Sequence, residues 1–161
     1  MLKEVLGIKK CQNCLLYKNQ KPLLDNIPTA ADVIFLGLSA KYISCSGDNR
    51  PLGIDTLSGK VLRPIESGFP ELVFYASNLV KCLPLRDNLK LRYPQKSEID
   101  ACINNFKTEV DSLKPAIIFL LGNIVSKSVA LEFGIKINQS KLNADYKYQT
   151  YKVHNHIFVP I

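Results

Sequence analysis

Short apolar runs of strand length recur along the chain, and segments with helical periodicity separate them. The runs cover Ala31–Gly37, Glu71–Asn78, Ala116–Gly122 and Gln149–Pro160. The first three are continuous, which is typical of parallel strands that are buried on both faces of a sheet. The fourth alternates between apolar and polar residues, which indicates a strand nearer an edge. The pattern predicts a central sheet of four parallel strands.

Three helices are predicted between these strands, over Gly59–Ser67, Ser97–Leu113 and Asn123–Phe133. The second is the clearest, because its apolar residues recur on one helical stripe. Ser97 and Asp100 at its start fit a variant of the capping box. Because strand and helix alternate, we predict an α/β protein with a three-layer α/β/α sandwich. The whole chain of 161 residues suits a single domain.

Two long polar loops follow the first and second predicted strands. They cover Ser39–Ser58 and Leu83–Gln95. In an open α/β sheet, the loops that leave the carboxyl ends of strands build the binding site, and long loops there usually serve function. A plain surface insertion is the alternative for each loop.

The five cysteines are the most informative residues of the composition. Cys11 and Cys14 form a C-x-x-C pair, Cys82 follows the second strand, and Cys102 lies on the second helix. Four thiolates complete either a zinc site or an iron–sulfur site, and ligand type alone does not separate the two. The simpler alternative is four small buried apolar side chains. Cys45 is left over as a free thiol.

Composition and charge indicate the cellular compartment and the kind of partner to expect. The longest apolar run, Ala116–Gly122, is too short to span a membrane, and Met1–Lys10 lacks the features of a signal peptide. We therefore expect a cytoplasmic protein, in which clustered cysteines bind metal more often than they form disulfides. A net charge of +7 favours a negatively charged partner, with nucleic acid first.

Several segments, taken in order, carry a resemblance to a known family. They are Cys11-x-x-Cys14, the strand that ends at Gly37, Ser58-Gly59-Lys60-Val61-Leu62, Asn78-Leu79-Val80-Lys81-Cys82-Leu83-Pro84, Cys102 and Leu120-Leu121-Gly122. With them the chain resembles the iron–sulfur branch of the uracil-DNA glycosylase superfamily, family 4 and its relatives, along nearly its whole length. The segment from Asn78 to Pro84 and the four cysteines are the specific part.

The resemblance implies a cofactor, a fold and a kind of ligand. The cofactor is a [4Fe–4S] cluster on Cys11, Cys14, Cys82 and Cys102, with the segment 1–30 carrying the first two ligands; zinc is the alternative. The fold is the glycosylase sandwich with its four-stranded parallel sheet. The ligand is a base flipped out of DNA into a pocket.

The resemblance also implies roles around that pocket. Asn78 lies at the end of the second strand, where its amide pairs with the edge of a pyrimidine, and the loop after Gly37 cradles the base and positions the hydrolytic water. The residues expected to contact the base are Gly37, Leu38, Ser39, Leu52 and Asn78. A turn residue at a strand end is the simpler interpretation of Asn78.

The first motif departs from the family pattern in two ways. Leu38 stands where the family has an acidic residue, so Asp48 and Asp55 are the candidates for activating the water. Pro51-Leu52 stands where the family has Pro-Phe, whose ring stacks on the base, and Tyr42 is a candidate substitute. Solvated loop residues are the simpler interpretation of both acids and of the tyrosine.

A further departure concerns the end of the given sequence. The family has a His-Pro-Ser motif after its last strand, and its histidine hydrogen-bonds an oxygen of the base. The sequence stops at Ile161, where this motif should begin, and His154 and His156 on the strand are poor substitutes. Two alternatives are open: the catalytic machinery is incomplete, or further residues belong to the protein.

Basic residues concentrate in the two long loops and at the start of the first helix. The ones expected to contact the DNA backbone are Lys41, Arg50, Lys60, Lys81, Arg86 and Arg92. Contacts of this kind give salt-dependent affinity without a choice of sequence. A solvated basic face is the alternative.

Together these features predict a monomeric, monofunctional DNA glycosylase. It would flip uracil or another modified pyrimidine out of DNA and hydrolyse its N-glycosidic bond. The altered first motif extends the candidate substrates to bulky bases of phage DNA, which would make phage defence an alternative to repair. A catalytically silent iron–sulfur module that binds DNA is the second candidate. A zinc-bearing α/β domain of unrelated function is the third.

Overall fold

Five strands and four α-helices alternate along residues 2–45, 47–137 and 149–161, which are the residues that the structure, a computed structural model, describes. The helices are α1 (Leu2–Gly7), α2 (Leu57–Gly68), α3 (Lys96–Leu113) and α4 (Asn123–Phe133). The strands are β1 (Val33–Ser39), β2 (Phe74–Val80), β3 (Ile117–Leu120), β4 (Tyr151–Val153) and β5 (His156–Pro160). Two 3-10 turns, Ile8–Lys10 and Leu15–Lys18, follow α1. None of the described helices has the length and apolar character to cross a membrane.

The strands form one mixed sheet in the order β2-β1-β3-β5-β4. Four of them run parallel, and β4 pairs antiparallel with β5 at the edge. The predicted α/β sandwich is confirmed, whereas the predicted count of four strands was one too low. The run Gln149–Pro160 holds two strands, because a turn at His154 and Asn155 folds it back. His154 has a φ of 53°, a left-handed conformation that interrupts an extended strand.

Helices cover the two faces of the sheet unequally. On β1, Ile34 lies in the apolar cluster that contains Phe106 of α3, while its neighbour Phe35 packs with Leu62 of α2. Successive residues of a strand point to opposite faces, so α2 and α3 lie on opposite sides of the sheet. Among the described helices α2 alone covers its side. An apolar groove of about 570 Å³ therefore stays open between α2 and the sheet.

The segment before β1 runs along the outer edge of β2. The Leu23 N–H donates to the Lys81 carbonyl oxygen over 2.7 Å, and the Ala76 N–H donates to Asp25 Oδ2 over 2.9 Å. Burial raises the pKa of Asp25, and the backbone hydrogen bonds to its carboxylate partly oppose this shift. These bonds satisfy an edge strand that would otherwise expose its polar backbone. They also hold the N-terminal turns beside the residues that follow β2.

The start of α3 differs from the prediction. The Gln95 N–H donates to the Glu98 carboxylate over 2.7 Å, and Arg92 holds the same carboxylate through hydrogen bonds of 2.6 and 2.8 Å. The Arg92 guanidinium accordingly lowers the pKa of Glu98. The predicted cap of Ser97 and Asp100 was wrong, because Asp100 instead forms an exposed ion pair further along α3. Glu98 thus joins the helix start to the loop before it.

Candidate functional site

A cavity of about 380 Å³ opens at the carboxyl ends of β1 and β2. Its lining comes from the end of β1 and the loop after it, the end of β2, the start of α2 and the residue after β3: Gly37, Leu38, Ser39, Lys41, Leu52, Thr56, Leu57, Ser58, Asn78 and Leu121. This is the edge of an open α/β sheet at which ligands bind. The five residues predicted to contact a base all belong to this lining. Binding itself stays a prediction.

The larger apolar groove beside α2 does not offer the same chemistry. Ser58 supplies its one polar side chain among the residues described along its walls. Recognition of a base edge requires several hydrogen-bonding groups at fixed positions. The smaller cavity has them, since Ser39, Thr56, Ser58 and Asn78 all line it. We therefore take the smaller cavity as the candidate site.

Asn78 is the buried amide of this cavity and is 2% exposed. Across the described residues, its Oδ1 is the one buried side-chain oxygen or nitrogen without a hydrogen-bond partner. Asn78 pairs with Gly37 in the register of β1 and β2, and a Cβ on Gly37 would lie 2.8 Å from Oδ1 and 2.7 Å from Leu52 Cδ2. Only glycine leaves this space free. Buried polar atoms are almost always paired, so this oxygen indicates a ligand with a hydrogen-bond donor.

Asp48 and Asp55, the predicted water-activating acids, lie outside the cavity lining. Asp48 accepts hydrogen bonds from Arg50 Nε over 3.2 Å and from the Ile54 N–H over 3.0 Å. Asp55 accepts a hydrogen bond from Lys41. Both carboxylates therefore hold the loop together, and this placement argues against direct contact with a base.

The Asp48 carboxylate should make the free energy of unfolding depend on pH in the acid range. Burial alone would raise its pKa, but hydrogen bonds from Arg50 and Ile54 outweigh burial and lower the pKa from about 3.8 to about 2. A carboxyl group whose pKa is lower in the folded than in the unfolded state stabilises the fold at pH values above its unfolded-state pKa. This contribution is lost as the pH falls toward the folded-state pKa.

We expect Asp48→Asn to destabilise the protein in a pH-dependent way. The difference in free energy of unfolding from the wild type should be constant above about pH 5 and shrink between about pH 4 and pH 2. Urea unfolding at a series of pH values measures it. Asp87→Asn, at an exposed position, controls for the loss of one negative charge. A difference that persists unchanged to pH 2 would contradict the ion-pair account.

Four cysteines converge on a second, smaller cavity. Cys11 and Cys14 reach it from the N-terminal turns, Cys82 from the end of β2 and Cys102 from α3. Asn105 Nδ2 lies 3.4 Å from Cys11 Sγ and 3.6 Å from Cys102 Sγ, so one amide bridges two of the sulfurs. The structure thus brings together cysteines that are up to 91 positions apart in the sequence.

The four thiols suit a shared metal centre by their chemistry. Burial raises the pKa of Cys82 to about 12, with further contributions from Cys102, Cys14 and Cys11, and burial also raises the pKa of Cys102. Such thiols give up their protons readily only to a bound cationic centre. In the described parts of the chain, no group of three or more histidine, cysteine or acidic side chains is arranged to hold a metal ion. The four sulfur donors suit zinc or an iron–sulfur cluster by their chemistry alone, and the cofactor itself stays a proposal.

The family of the chain follows from its sequence. A family model for the uracil DNA glycosylase superfamily matches residues 24–159, a span that includes the whole cavity lining and two of the four cysteines. The chain belongs to the uracil-DNA glycosylase superfamily. A curated relative, the type-4 uracil-DNA glycosylase of Saccharolobus solfataricus, is 28% identical over 122 residues. The match covers 71% of this chain and 52% of the relative, so the chain spans about half the length of the relative.

These matches confirm the predicted membership of the superfamily and its likeness to the family-4 branch.

One basic residue of this glycosylase-superfamily domain was assigned wrongly. Lys81 was predicted to contact the DNA backbone, but its side chain is fully buried. Its Nζ donates to Glu109 Oε2 over 2.8 Å, to Ser77 Oγ over 2.8 Å and to the Asn78 carbonyl oxygen over 2.9 Å. All three ammonium hydrogens are used inside the fold.

The other five basic residues divide into two groups. Lys41, Arg50 and Arg92 form ion pairs within the chain, with Asp55, Asp48 and Glu98 respectively. Lys60 and Arg86 are exposed. A phosphate would have to compete with a carboxylate at the first three positions, so the two exposed residues are the better candidates for the DNA backbone.

Tyr42, the candidate for stacking on the base, lies outside the cavity lining, and its hydroxyl donates to the Leu89 carbonyl oxygen over 2.5 Å.

We expect Lys81→Met to destabilise the domain by about 3 kcal/mol, because it leaves the buried Glu109 carboxylate without its counter-charge. Lys81→Met combined with Glu109→Gln should recover much of the loss, since the second change removes the unpaired charge. Urea unfolding measures both. Lys107→Met breaks the exposed pair with Glu132 and should cost much less than Lys81→Met. Equal losses for the two lysines would contradict this account.

Three residues that shape the sites were missed in the sequence. Glu109 falls between Phe106 and Val110 on the apolar stripe of α3, and a charge in that position signals a buried partner. Asn105 follows Cys102 by three residues on the same helix, which places it beside the cysteines. Arg63 had no signal, because its partners lie in a loop whose course the sequence does not specify.

Proposed function

We propose that the chain is a DNA glycosylase domain that hydrolyses the N-glycosidic bond of uracil or a related modified pyrimidine. The unpaired Asn78 Oδ1 carries this proposal, because a buried acceptor without a partner, on a residue that lines the cavity, suits the N3–H of uracil. Cytosine presents a lone pair at N3, so the same oxygen disfavours the normal base. Membership of the superfamily and the type-4 relative support the assignment.

The reaction needs little from the protein beyond positioning and electrostatics. Water attacks C1′ of the deoxyribose, the C1′–N1 bond breaks, and its electron pair leaves on N1 of the base. One water proton goes to the departing base or to solvent, and the products are a free base and an abasic sugar. Charge develops as an oxocarbenium-like sugar and an anionic base, so fixed dipoles around the base accelerate the step.

The cavity supplies such dipoles on the side of the base. The Asn78 amide fixes the pyrimidine edge, and the hydroxyl groups of Ser39, Thr56 and Ser58 lie in the same lining. Lys41 adds a positive charge, although its ammonium is held by Asp55 and by the Asp48 carbonyl oxygen. Asp55 offsets much of this charge, so the dipoles of the amide and of the hydroxyl groups are the main stabilisation of an anionic base.

We propose that Cys11, Cys14, Cys82 and Cys102 hold a [4Fe–4S] cluster. When bound, the cluster supplies a structural cross-link between the N-terminal turns, the end of β2 and α3, and no redox step is required. The four cysteines reach one cavity from these three parts of the chain, which supports the assignment. Zinc on the same thiolates is the alternative.

Strand-cleavage assays test the activity directly. Oligonucleotides that each carry one uracil or one modified pyrimidine are incubated with the protein and then treated with alkali, which cuts at abasic sites. Cleavage at the uracil or at a modified pyrimidine supports the proposal. Intact strands for every base tested would overturn it.

A catalytically silent DNA-binding module is the second candidate function. It is favoured by the cavity lining, in which the described residues include no carboxylate to activate water. This candidate predicts binding to DNA that weakens steeply with salt, together with intact strands in the cleavage assay. Fluorescence anisotropy at several salt concentrations, run beside the cleavage assay, separates the two functions.

A further inference from the structure

The strained backbone at Leu52 lies in the wall of the candidate base pocket. Leu52 has a φ of 52°, a left-handed conformation that is unfavourable for any residue with a large side chain. Its Cδ2 borders the space in front of Gly37 and Asn78. Strained residues persist only where the surrounding structure fixes them, and they cluster at functional sites.

Arg63 of α2 is the residue that fixes this conformation. It is 8% exposed, and its Nη2 donates to the carbonyl oxygens of Pro51 over 2.9 Å and of Leu52 over 3.0 Å. Its Nε lies 3.2 Å from the Leu52 carbonyl oxygen. Glu66, one helical turn later, accepts a hydrogen bond of 2.7 Å from Nη1 and balances the buried charge. Arginine alone among the side chains offers this rigid fork of donors.

Gly59 allows the helix to approach the strained turn. It precedes Arg63 by four residues, so the two lie on one face of α2. A Cβ on Gly59 would lie 1.8 Å from the Gly53 carbonyl oxygen and 2.5 Å from the Leu52 carbonyl oxygen. The first turn of α2 therefore packs directly on the backbone of residues 52 and 53, and Arg63 bonds the same stretch from the next turn.

We propose that Arg63, with Glu66 as its counter-charge, is a positioning residue that presents Leu52 as a preformed wall for the ring of the flipped base. Arg63 touches no cavity space itself and acts through the backbone of the turn. The inference rests on the proposed function. A preformed wall reduces the ordering that base capture would otherwise require, which strengthens binding of the flipped base without a new contact.

The test compares binding of two DNA duplexes that differ at one base. One carries a single 2′-fluoro-2′-deoxyuridine, which resists hydrolysis, and the other carries 2′-fluoro-2′-deoxycytidine at that position. For Arg63→Lys we expect the preference for the uracil duplex to fall roughly tenfold, with affinity for the undamaged duplex unchanged. Leu52→Gly should lose a similar factor. The double variant should lose no more than either single variant, because both changes remove the same wall.

Several results would overturn the inference. The first is an unchanged preference for the uracil duplex in Arg63→Lys, and the second is an equal loss of affinity for both duplexes. The third is a double variant whose loss of preference equals the product of the two single losses. Lys107→Met, which breaks an ion pair on the distant helices α3 and α4, is the matched control and should leave the preference intact. If Arg63→Lys does not fold, Glu66→Gln keeps the arginine fork and gives the milder form of the same test.

A wild type without a preference for uracil would count against the proposed function alone. A second measurement then still tests whether Arg63 holds the turn. Amide hydrogen exchange of peptides that cover residues 50–56 should be faster in Arg63→Lys than in the wild type, with the strands unchanged. Unchanged exchange in these peptides would show that Arg63 does not hold the turn.

Discussion

Replacement of Cys82 by alanine is expected to release the proposed [4Fe–4S] cluster and to destabilise the whole domain. Cys82 is buried beside the cysteines of two other elements, so its loss would break the proposed cross-link between β2, α3 and the N-terminal turns. The purified variant should lose its iron and the broad absorption band at roughly 400 nm that a [4Fe–4S] cluster gives. Its unfolding midpoint should fall by about 10 °C or more.

Cys45→Ala is the matched control for this experiment. Cys45 is exposed and lies outside the cavity that the other four cysteines line, so the variant should keep its colour, iron content and unfolding midpoint. A Cys82→Ala protein with full iron content would refute the ligand assignment. A colourless wild type with one bound zinc would replace the cluster by the alternative metal.

Asn78→Ala is expected to separate activity from stability. Without the amide, the base loses its partner for the pyrimidine edge, and kcat/KM for a uracil-containing duplex should fall by about 10²–10³-fold. The unfolding midpoint should stay level or rise slightly, because the change removes a buried oxygen that has no partner in the described structure. Single-turnover cleavage and thermal unfolding measure the two effects.

Asn104→Ala serves as the control for Asn78→Ala. Asn104 is an exposed asparagine of α3, so its replacement should change neither cleavage nor stability. Asn78→Asp tests the hydrogen-bond pattern at nearly constant shape and should also cleave poorly. Full activity in Asn78→Ala, or a loss of activity that merely follows a collapse in stability, would contradict the role of the amide.

The sequence predicted the elements that depend on local patterns. The helix over Asn123–Phe133 was placed correctly at both ends, because an apolar stripe fills it and Gly134 stops it in a left-handed conformation. The sequence also placed Asn78 and Cys82 at the end of the second strand and Cys102 on the following helix, where the structure has them, while their roles stay predictions. These features need only a few neighbouring residues to be recognised.

The errors arise where contacts distant in sequence decide the outcome. Lysine is usually a surface residue, and the burial of Lys81 depends on its ion pair with Glu109, which lies 28 positions later. The turn at His154 and Asn155 lacks the glycine that usually marks a hairpin, so two strands were merged into one. The role of Asp48 and Asp55 in activating water stays a prediction, and their ion pairs with Arg50 and Lys41 depend on the course of a loop that the sequence does not specify.

The pairing of Gly37 with Asn78 across β1 and β2 has a consequence for how such a pocket can change. Side chains alternate between the faces of a strand, so removal of one residue from β2 ahead of Asn78 would turn the amide toward α3 and leave Leu79 in its place. Substitutions in the loop of residues 39–58 carry no such penalty. In the proposed glycosylase, base preference is therefore free to change by exchange of loop residues, while the lengths of these two strands stay fixed.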